Sequence, residues 1–263
     1  MNALIGFSGF VGNTLLRQAH FEALYRSTNI SDIDHLSFDT VVCAGAPAQK
    51  WIANREPDAD RRKIEGLISH LKTIQCKTFV LISTVDVFKS AIGVDENTVV
   101  DESGLNAYGL NRRRLEKFVE NNFENYLIVR LPGLVGPGLR KNVIYDFLNG
   151  INLDAIDSRS IFQFYPMVNL WCDIQISLNA GLKVVHLTAE PVSVADVSKQ
   201  GFGIVFDNTL GSTPASYDMR TVHAQIFGSG GHCQYSARET MQAVRAYAQS
   251  EPLAIKFNPE VSA

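Results

Sequence analysis

Apolar residues fall into short, nearly unbroken runs at residues 3–6, 22–25, 38–44, 78–83, 126–131 and 182–187. Runs of this length without polar alternation are what strands buried on both faces require. Between them lie stretches with apolar positions three and four apart, at 13–20, at 58–74 (Ile64, Leu67, Ile68, Leu71) and at 107–123. Strand and helix alternate, which predicts an α/β chain with a parallel sheet covered on both faces. Beyond residue 140 the pattern is less regular. Residues 142–148 and 167–180 have helical spacing, Ser193 to Asp196 has the form of a capping box, and Ser236 to Glu239 caps a last helix reaching about residue 248. Residues 209–220 read as loop, and Gly228-Ser-Gly-Gly231 as a flexible turn.

Composition narrows the class. The 263 residues are 46% hydrophobic and 19% charged, enough for one large domain or a core with a small annex. A net charge of -3 with only one dense basic run, Arg112-Arg113-Arg114, argues against nucleic acid as a partner. The four cysteines, at 43, 76, 172 and 233, lie far apart without metal-ligand spacing, so they read as reduced, mostly buried thiols and no metal site is expected. No apolar stretch approaches the ~18 residues of a membrane span, and the amino terminus lacks a charged leader. A cytoplasmic location with no membrane partner is the expectation.

The first strand runs directly into Gly6-x-x-Gly9-x-x-Gly12, which opens the first helix. In that context glycines let the backbone approach a dinucleotide pyrophosphate, held by free N–H groups at the helix N-terminus. Gly6, Ser8, Gly9, Phe10, Val11 and Gly12 are the candidate contacts. The second strand ends in Leu24-Tyr25-Arg26-Ser27, with no carboxylate to take a ribose 2′-hydroxyl. Arg26 and Ser27 therefore favour NADP, with NAD the alternative. Tyr108 and Arg112 stand four apart on a helix, so phenol and guanidinium share a face that Leu115 and Val119 continue into the core. By itself the pair has a plain reading, a half-buried tyrosine beside a solvated arginine.

Together these motifs resemble the extended short-chain dehydrogenase/reductase superfamily, in its nucleotide-sugar epimerase/dehydratase and dehydrorhamnose-reductase group. Gly6-x-x-Gly9-x-x-Gly12 matches the glycine motif, and Cys43-Ala-Gly-Ala46 is similar to the small-residue turn beside the adenosine. Leu81-Ile-Ser-Thr-Val-Asp-Val-Phe88 is similar to the strand-end motif with the catalytic hydroxyl at Thr84, and Tyr108 matches the catalytic tyrosine. Val129-Arg-Leu-Pro-Gly-Leu-Val-Gly-Pro-Gly138 is similar to the segment beside the nicotinamide. The resemblance implies a Rossmann-type doubly wound sheet with a small C-terminal substrate-binding annex. Residues 1–138, with a returning strand and helix near 182–200, would form the cofactor core, and 139–263 mainly the annex.

It also implies roles. Thr84 would hold the substrate oxygen, Tyr108 would act as acid/base, and Ala44, Gly45, Ala46, Leu131, Pro132 and Gly133 would join the glycine turn around the cofactor. Arg112 stands where the family has a lysine. It keeps the positive charge but cannot release a proton, and its fork is shaped differently. A phenol near pKa 10 must fall by about three units, roughly 4 kcal/mol, to act as a base near neutrality, and an adjacent cation supplies part of that. The implied activity is NAD(P)-dependent oxidoreduction at a carbonyl or hydroxyl of a sugar, expected to be nucleotide-activated, in a homodimer. The alternatives are an impaired NAD(P)-binding protein, or an epimerase or dehydratase; for a dehydratase, Val85 rather than an acid follows Thr84.

Five further residues or groups carry weaker expectations. Phe88 stands where the family usually has a tyrosine. Lys50 follows the adenosine-side turn and could reach phosphate or substrate, but reads first as a solvated lysine beside a packed Trp51; Asp86 could serve as an acid near Thr84 but reads first as a loop carboxylate, and His186 as a core histidine. Phe162, Phe164, Tyr165 and Trp171 are aromatic enough to line a pocket against a base, or simply to be core.

Overall fold

All six apolar runs pair into one sheet. The structure is a computed structural model describing residues 1–252. β1 (Asn2–Ile5) turns through the glycines into α1 (Phe10–Gln18), followed by β2 (Ala23–Tyr25) and β3 (Ser37–Cys43). Two helices, α2 (Lys50–Arg55) and α3 (Pro57–Leu71), lead to β4 (Gln75–Thr84). The short β5 (Ile92–Val94) precedes α4 (Ala107–Asn122), β6 (Tyr126–Leu131) and β7 (Gly133–Val135). After α5 (Val143–Asn149), β8 (Ile161–Phe162) and β9 (Phe164–Pro166), α6 (Leu170–Asn179) returns the chain to the sheet at β10 (Val184–His186). β11 (Val192–Ser193), α7 (Val194–Phe202), β12 (Asp218–Met219) and α8 (Ala237–Ser250) follow.

The sheet order is β2-β1-β3-β4-β6-β10, and every pairing in it is parallel. Strand side chains alternate between two cores. Ala3, Ile5, Val41, Cys43, Phe79 and Leu81 face Ile64, Leu71, Leu115 and Val119 of α3 and α4. Leu4, Val42, Val80, Ile82 and Val129 face Leu15 of α1 and Leu170 and Ile174 of α6. The strands are apolar where both of their faces are covered, as at residues 41–43 and 79–82, and β3 and β4 turn polar at their exposed amino ends. The order reverses direction between β1 and β3, and the crevice at the carboxyl ends of those strands is where open α/β sheets bind ligands.

Outside the sheet, α5, α7 and α8 enclose a separate core of Val135, Ile144, Phe147, Val197, Val244 and Tyr247. Of the returning segment expected near 182–200, only the strand joins the sheet. α7 packs on α5 and α8 instead, because its buried Val194 and Val197 face that second core. Of residues 139–263, positions 253–263 lie outside the described residues. The loop expected at 209–220 holds one short strand, β12, paired in parallel with β5. Small paired strands such as these escape a hydrophobicity pattern because two or three residues show no period.

Candidate active site

The glycine turn is fixed by close backbone approach. Gly6 has φ +85°, and a Cβ there would lie 2.4 Å from the Ala44 carbonyl oxygen; a Cβ on Gly12 would lie 2.1 Å from the Gly6 carbonyl oxygen. A side chain at either position would push α1 away from the turn or β1 away from the loop after β3. Gly9 is the N-cap of α1, and no side chain caps it; the first turn carries no acidic residue, and the basic Arg17 sits in the last. The positive end of α1 thus opens at the β1–β3 crevice with its first N–H groups uncapped. Ser8 and Gly9 are exposed there, Phe10 and Val11 are half-buried, and Ala44, Gly45 and Ala46 form the opposite wall.

Arg26 and Ser27 emerge exposed at the end of β2. The Arg26 guanidinium lies 5.7 Å over the Phe7 ring of the glycine turn, and its Nε donates to the Thr28 hydroxyl at 2.9 Å. That places a cation at the rim of the crevice on the β2 side.

Thr84 ends β4, and its hydroxyl oxygen accepts the Asp86 N–H at 3.1 Å, which caps a tight turn. The Asp86 carbonyl abuts Gly109 of α4, where a Cβ would come within 2.1 Å of it. α4 begins at an Asn106 cap, whose side chain accepts the Gly109 N–H at 3.0 Å. Thr84 and Tyr108 are brought to one end of the sheet by that contact. The Tyr108 N–H donates to the Asn54 side chain of α2 at 3.0 Å. Leu131 is buried in the sheet core, with half-buried Pro132 and Gly133 leading outward into β7. Neighbouring Arg130 is locked by Glu116 of α4, donating from Nε at 3.0 Å and from Nη2 at 2.8 Å, and Glu116 also accepts the Ser83 hydroxyl at 2.6 Å.

Arg112 is not the solvated residue of the plain reading. It is 3% exposed, its guanidinium lies 3.9 Å from the Tyr108 ring centroid, Nη1 pairs with Asp60 of α3 at 2.5 Å, and Nη2 donates to the Pro47 carbonyl. Asn111 also donates to Asp60, at 2.8 Å. The planar fork, which a lysine lacks, makes this three-way clamp available. Both Nη atoms are thus engaged by protein, while the buried Nε has no hydrogen-bond partner among the described residues. Tyr108, 9% exposed, also departs from the expected fall in pKa. Burial is the largest influence and raises it; Arg112 and, less, Lys50 pull it down, while Asp86 and Asp60 push it up, and the net shift is upward.

Lys50 is a second correction. Trp51 is 63% exposed and stacks under Arg55, whereas the Lys50 ammonium pairs with Asp86 at 2.6 Å. Burial works against its ammonium, but Asp86 and the Tyr217 phenol more than offset this and raise its pKa. Asp86 is accordingly a paired carboxylate rather than a loose loop residue. α2 carries both Lys50 and Asn54, yet this six-residue helix has too few turns for a visible period. Asp60 was equally hidden, since an acid in the first turn of a helix reads as dipole compensation.

Among the aromatic residues, Phe164 and Tyr165 are core, and Trp171 packs edge-on against Phe21 at the other end of the sheet. Phe162 alone of the four packs against Tyr217, with ring centroids 5.7 Å apart. Phe88 is buried beside His186, itself fully buried as expected, and under the Arg130 guanidinium. All four cysteines are free, although only Cys43 and Cys233 are buried. A cavity of about 450 Å³ is lined by Asn2, Phe21, Thr78 and Trp171 at the amino ends of the strands. It lies far from this chemistry, and we place the site by the converging polar groups instead.

No protein-family model matches the chain, and no curated protein matches its sequence. Solved structures do. A dTDP-4-dehydrorhamnose reductase from Bacillus anthracis, solved in complex with NADP, is 16% identical, with a TM-score of 0.70 over 95% of this chain and 98% of that one. MoeE5, in complex with UDP-glucose and NAD, is 15% identical, with a TM-score of 0.70 over 94% and 98%. A UDP-glucose 4-epimerase from Thermotoga maritima, with UDP-glucose, is 15% identical, with a TM-score of 0.61 over 95% and 98%. These likenesses establish a class of fold, the Rossmann-type doubly wound sheet. Within that class, the fold is the one seen in sugar-nucleotide reductases and epimerases.

Proposed function

We propose that this chain is an NADP-preferring oxidoreductase that reduces a carbonyl of a sugar, nucleotide-activated as in the structural neighbours. The observation that carries the reading is the convergence at one end of the sheet of the uncapped α1 N-terminus, the Gly6–Ala44 approach and the Thr84–Tyr108 pair. A pyrophosphate fits the first of these, where glycine leaves the backbone bare and no side chain competes for the N–H groups. Arg26 at the rim supports a 2′-phosphate over a bare hydroxyl. Ala44 to Ala46 would flank the adenosine, and Leu131 to Gly133 the nicotinamide side. Bound there, the nicotinamide supplies the hydride.

The chain's own residues do the rest. The Thr84 hydroxyl, which accepts the Asp86 N–H, would turn from the Asp86 carboxylate to donate a hydrogen bond to the substrate oxygen, keeping its own proton. Tyr108 donates the proton that completes the alcohol. A buried phenol with a raised pKa is held protonated, which suits an acid and hence the reducing direction. The described part of the annex after residue 138 would close over the sugar from the α5–α7–α8 side.

A second reading has an observation of its own. Arg112 spends its Nη donors on Asp60 and Pro47, as it would in a protein that binds NAD(P) with little catalysis. One experiment separates the two. NADPH and NADH are titrated by fluorescence, and turnover is measured with nucleotide 4-keto-sugars for wild type and Tyr108→Phe. The oxidoreductase reading expects tighter NADPH binding and a loss of at least about a hundredfold in kcat for Tyr108→Phe. Binding without turnover leaves the second reading, and absence of binding removes both.

A further inference from the structure

Two cation–carboxylate pairs flank Tyr108, and they differ in how they are held. Arg112 and Asp60 are sealed, with side chains 3% and 4% exposed. Lys50 and Asp86 face outward, with side chains 41% and 19% exposed. Two contacts tie this outer pair to the backbone at Tyr108, and a third ties it to Thr84. Asn54, one turn after Lys50 on the same face of α2, accepts the Tyr108 N–H at 3.0 Å. The Asp86 carbonyl lies against Gly109, the residue after Tyr108. Asp86 also holds the hydroxyl oxygen of Thr84 through its N–H, at 3.1 Å.

We propose that Lys50, held by Asp86, is a positioning residue that governs when Tyr108 gives up its proton, acting from α2 while Arg112 is engaged with Asp60. This deepens the reading of Tyr108 as the acid and rests on it. Every charged group near the phenol enters the balance: Arg112 on its own helix, Asp60 on α3, Lys50 on α2 and Asp86 on the turn after β4. Around the outer pair stand the Tyr217 phenol, beside Lys50, and Lys141, which donates to the Ala48 carbonyl and feels Asp86. Lys50 and Asp86 act on Tyr108 with opposite sign. Removing Lys50 both withdraws a cation and leaves Asp86 without its cationic partner, so the two losses add. Removing the Asp86 charge does the reverse.

The test is an absorbance titration of tyrosinate in the folded apoprotein. The Tyr108 step is taken as the difference between each protein and its own Tyr108→Phe counterpart. Lys50→Met is expected to raise the Tyr108 midpoint by about one unit or more, and Asp86→Asn to lower it. The double variant should return toward wild type, and Lys50→Arg should stay close to it. A packing role would not give shifts of opposite sign. The proposal is overturned if neither single variant moves the midpoint, if both move it the same way, or if Tyr108 stays un-ionised to the alkaline limit of folding throughout. Should Lys50→Met fail to fold, a midpoint unmoved by Asp86→Asn overturns it as well. The titration needs no substrate, so failure of every nucleotide sugar to react counts against the proposed function and leaves this result standing.

Discussion

Arg112 shows why a residue cannot be judged from its charge alone. A guanidinium at this position reaches the Tyr108 ring, Asp60 and Pro47 together, and its burial is tolerable only because Asp60 is buried with it. Removing one partner of such a pair leaves an uncompensated charge. Asp60→Asn is therefore expected to lower unfolding free energy by about 3–5 kcal/mol in urea melts, against less than about 1 kcal/mol for the exposed Arg61→Gln. A small loss at Asp60 would mean that Arg112 finds solvent instead. The places of Thr84 at a strand end and Tyr108 in the first turn of a helix were legible in the sequence, because each element has a clear period. The partners of Arg112 were not, since Asp60 lies 52 residues away and meets it only once α3 packs on α4.

At the scale of elements, the glycine turn and the small helix α2 decide what reaches the crevice. Gly12 lies inside α1 with no room for a methyl group, while a Cβ on Gly9 would meet only the Gly6 carbonyl oxygen, at 3.4 Å. Gly12→Ala should therefore cost about 1–3 kcal/mol of stability and weaken NADPH binding by more than about tenfold. Gly9→Ala should fold normally, so that any loss it shows in the fluorescence titration reports on the ligand's approach alone. Equal melting temperatures for wild type and Gly12→Ala would contradict the close approach. The strands and long helices could be placed from their periods, and the caps at Ser193 and Ser236 from their spacing. α2 and the two- and three-residue strands carry no period, and the association of α7 with α5 and α8 depends on a second core that no local pattern announces.

Across the whole molecule, one buried polar network joins sheet, helix and outer loop. Glu116 takes the Ser83 hydroxyl and the Arg130 fork; Arg130 reaches His186, whose Nδ1 lies 2.9 Å from the Arg220 carbonyl. Burial, the largest cause, holds the His186 pKa below its ordinary 6.5. The imidazole thus stays neutral in the fold while the unfolded chain takes up a proton. As pH falls from 6.5 toward the depressed folded value, the unfolded state binds more protons and stability declines. Melting temperature should fall through that window in wild type and fall less steeply in His186→Asn, whatever its starting stability. A slope identical in both proteins would assign the acid sensitivity elsewhere.

The all-parallel order has a consequence for how the chain acquires its shape. No two neighbours in the sheet are consecutive through a hairpin, so none of the pairings can form by local zipping. β1 and β2 must wait for α1 to cross over, and β1 and β3 can pair only after the whole first unit has been laid down and its end brought back. Each step spends loop-closure entropy before any contact repays it, which places this chain among the slower folders of its size. The ligand crevice, set between the two strands whose pairing closes that loop, is then assembled by the same event that commits the chain to its topology.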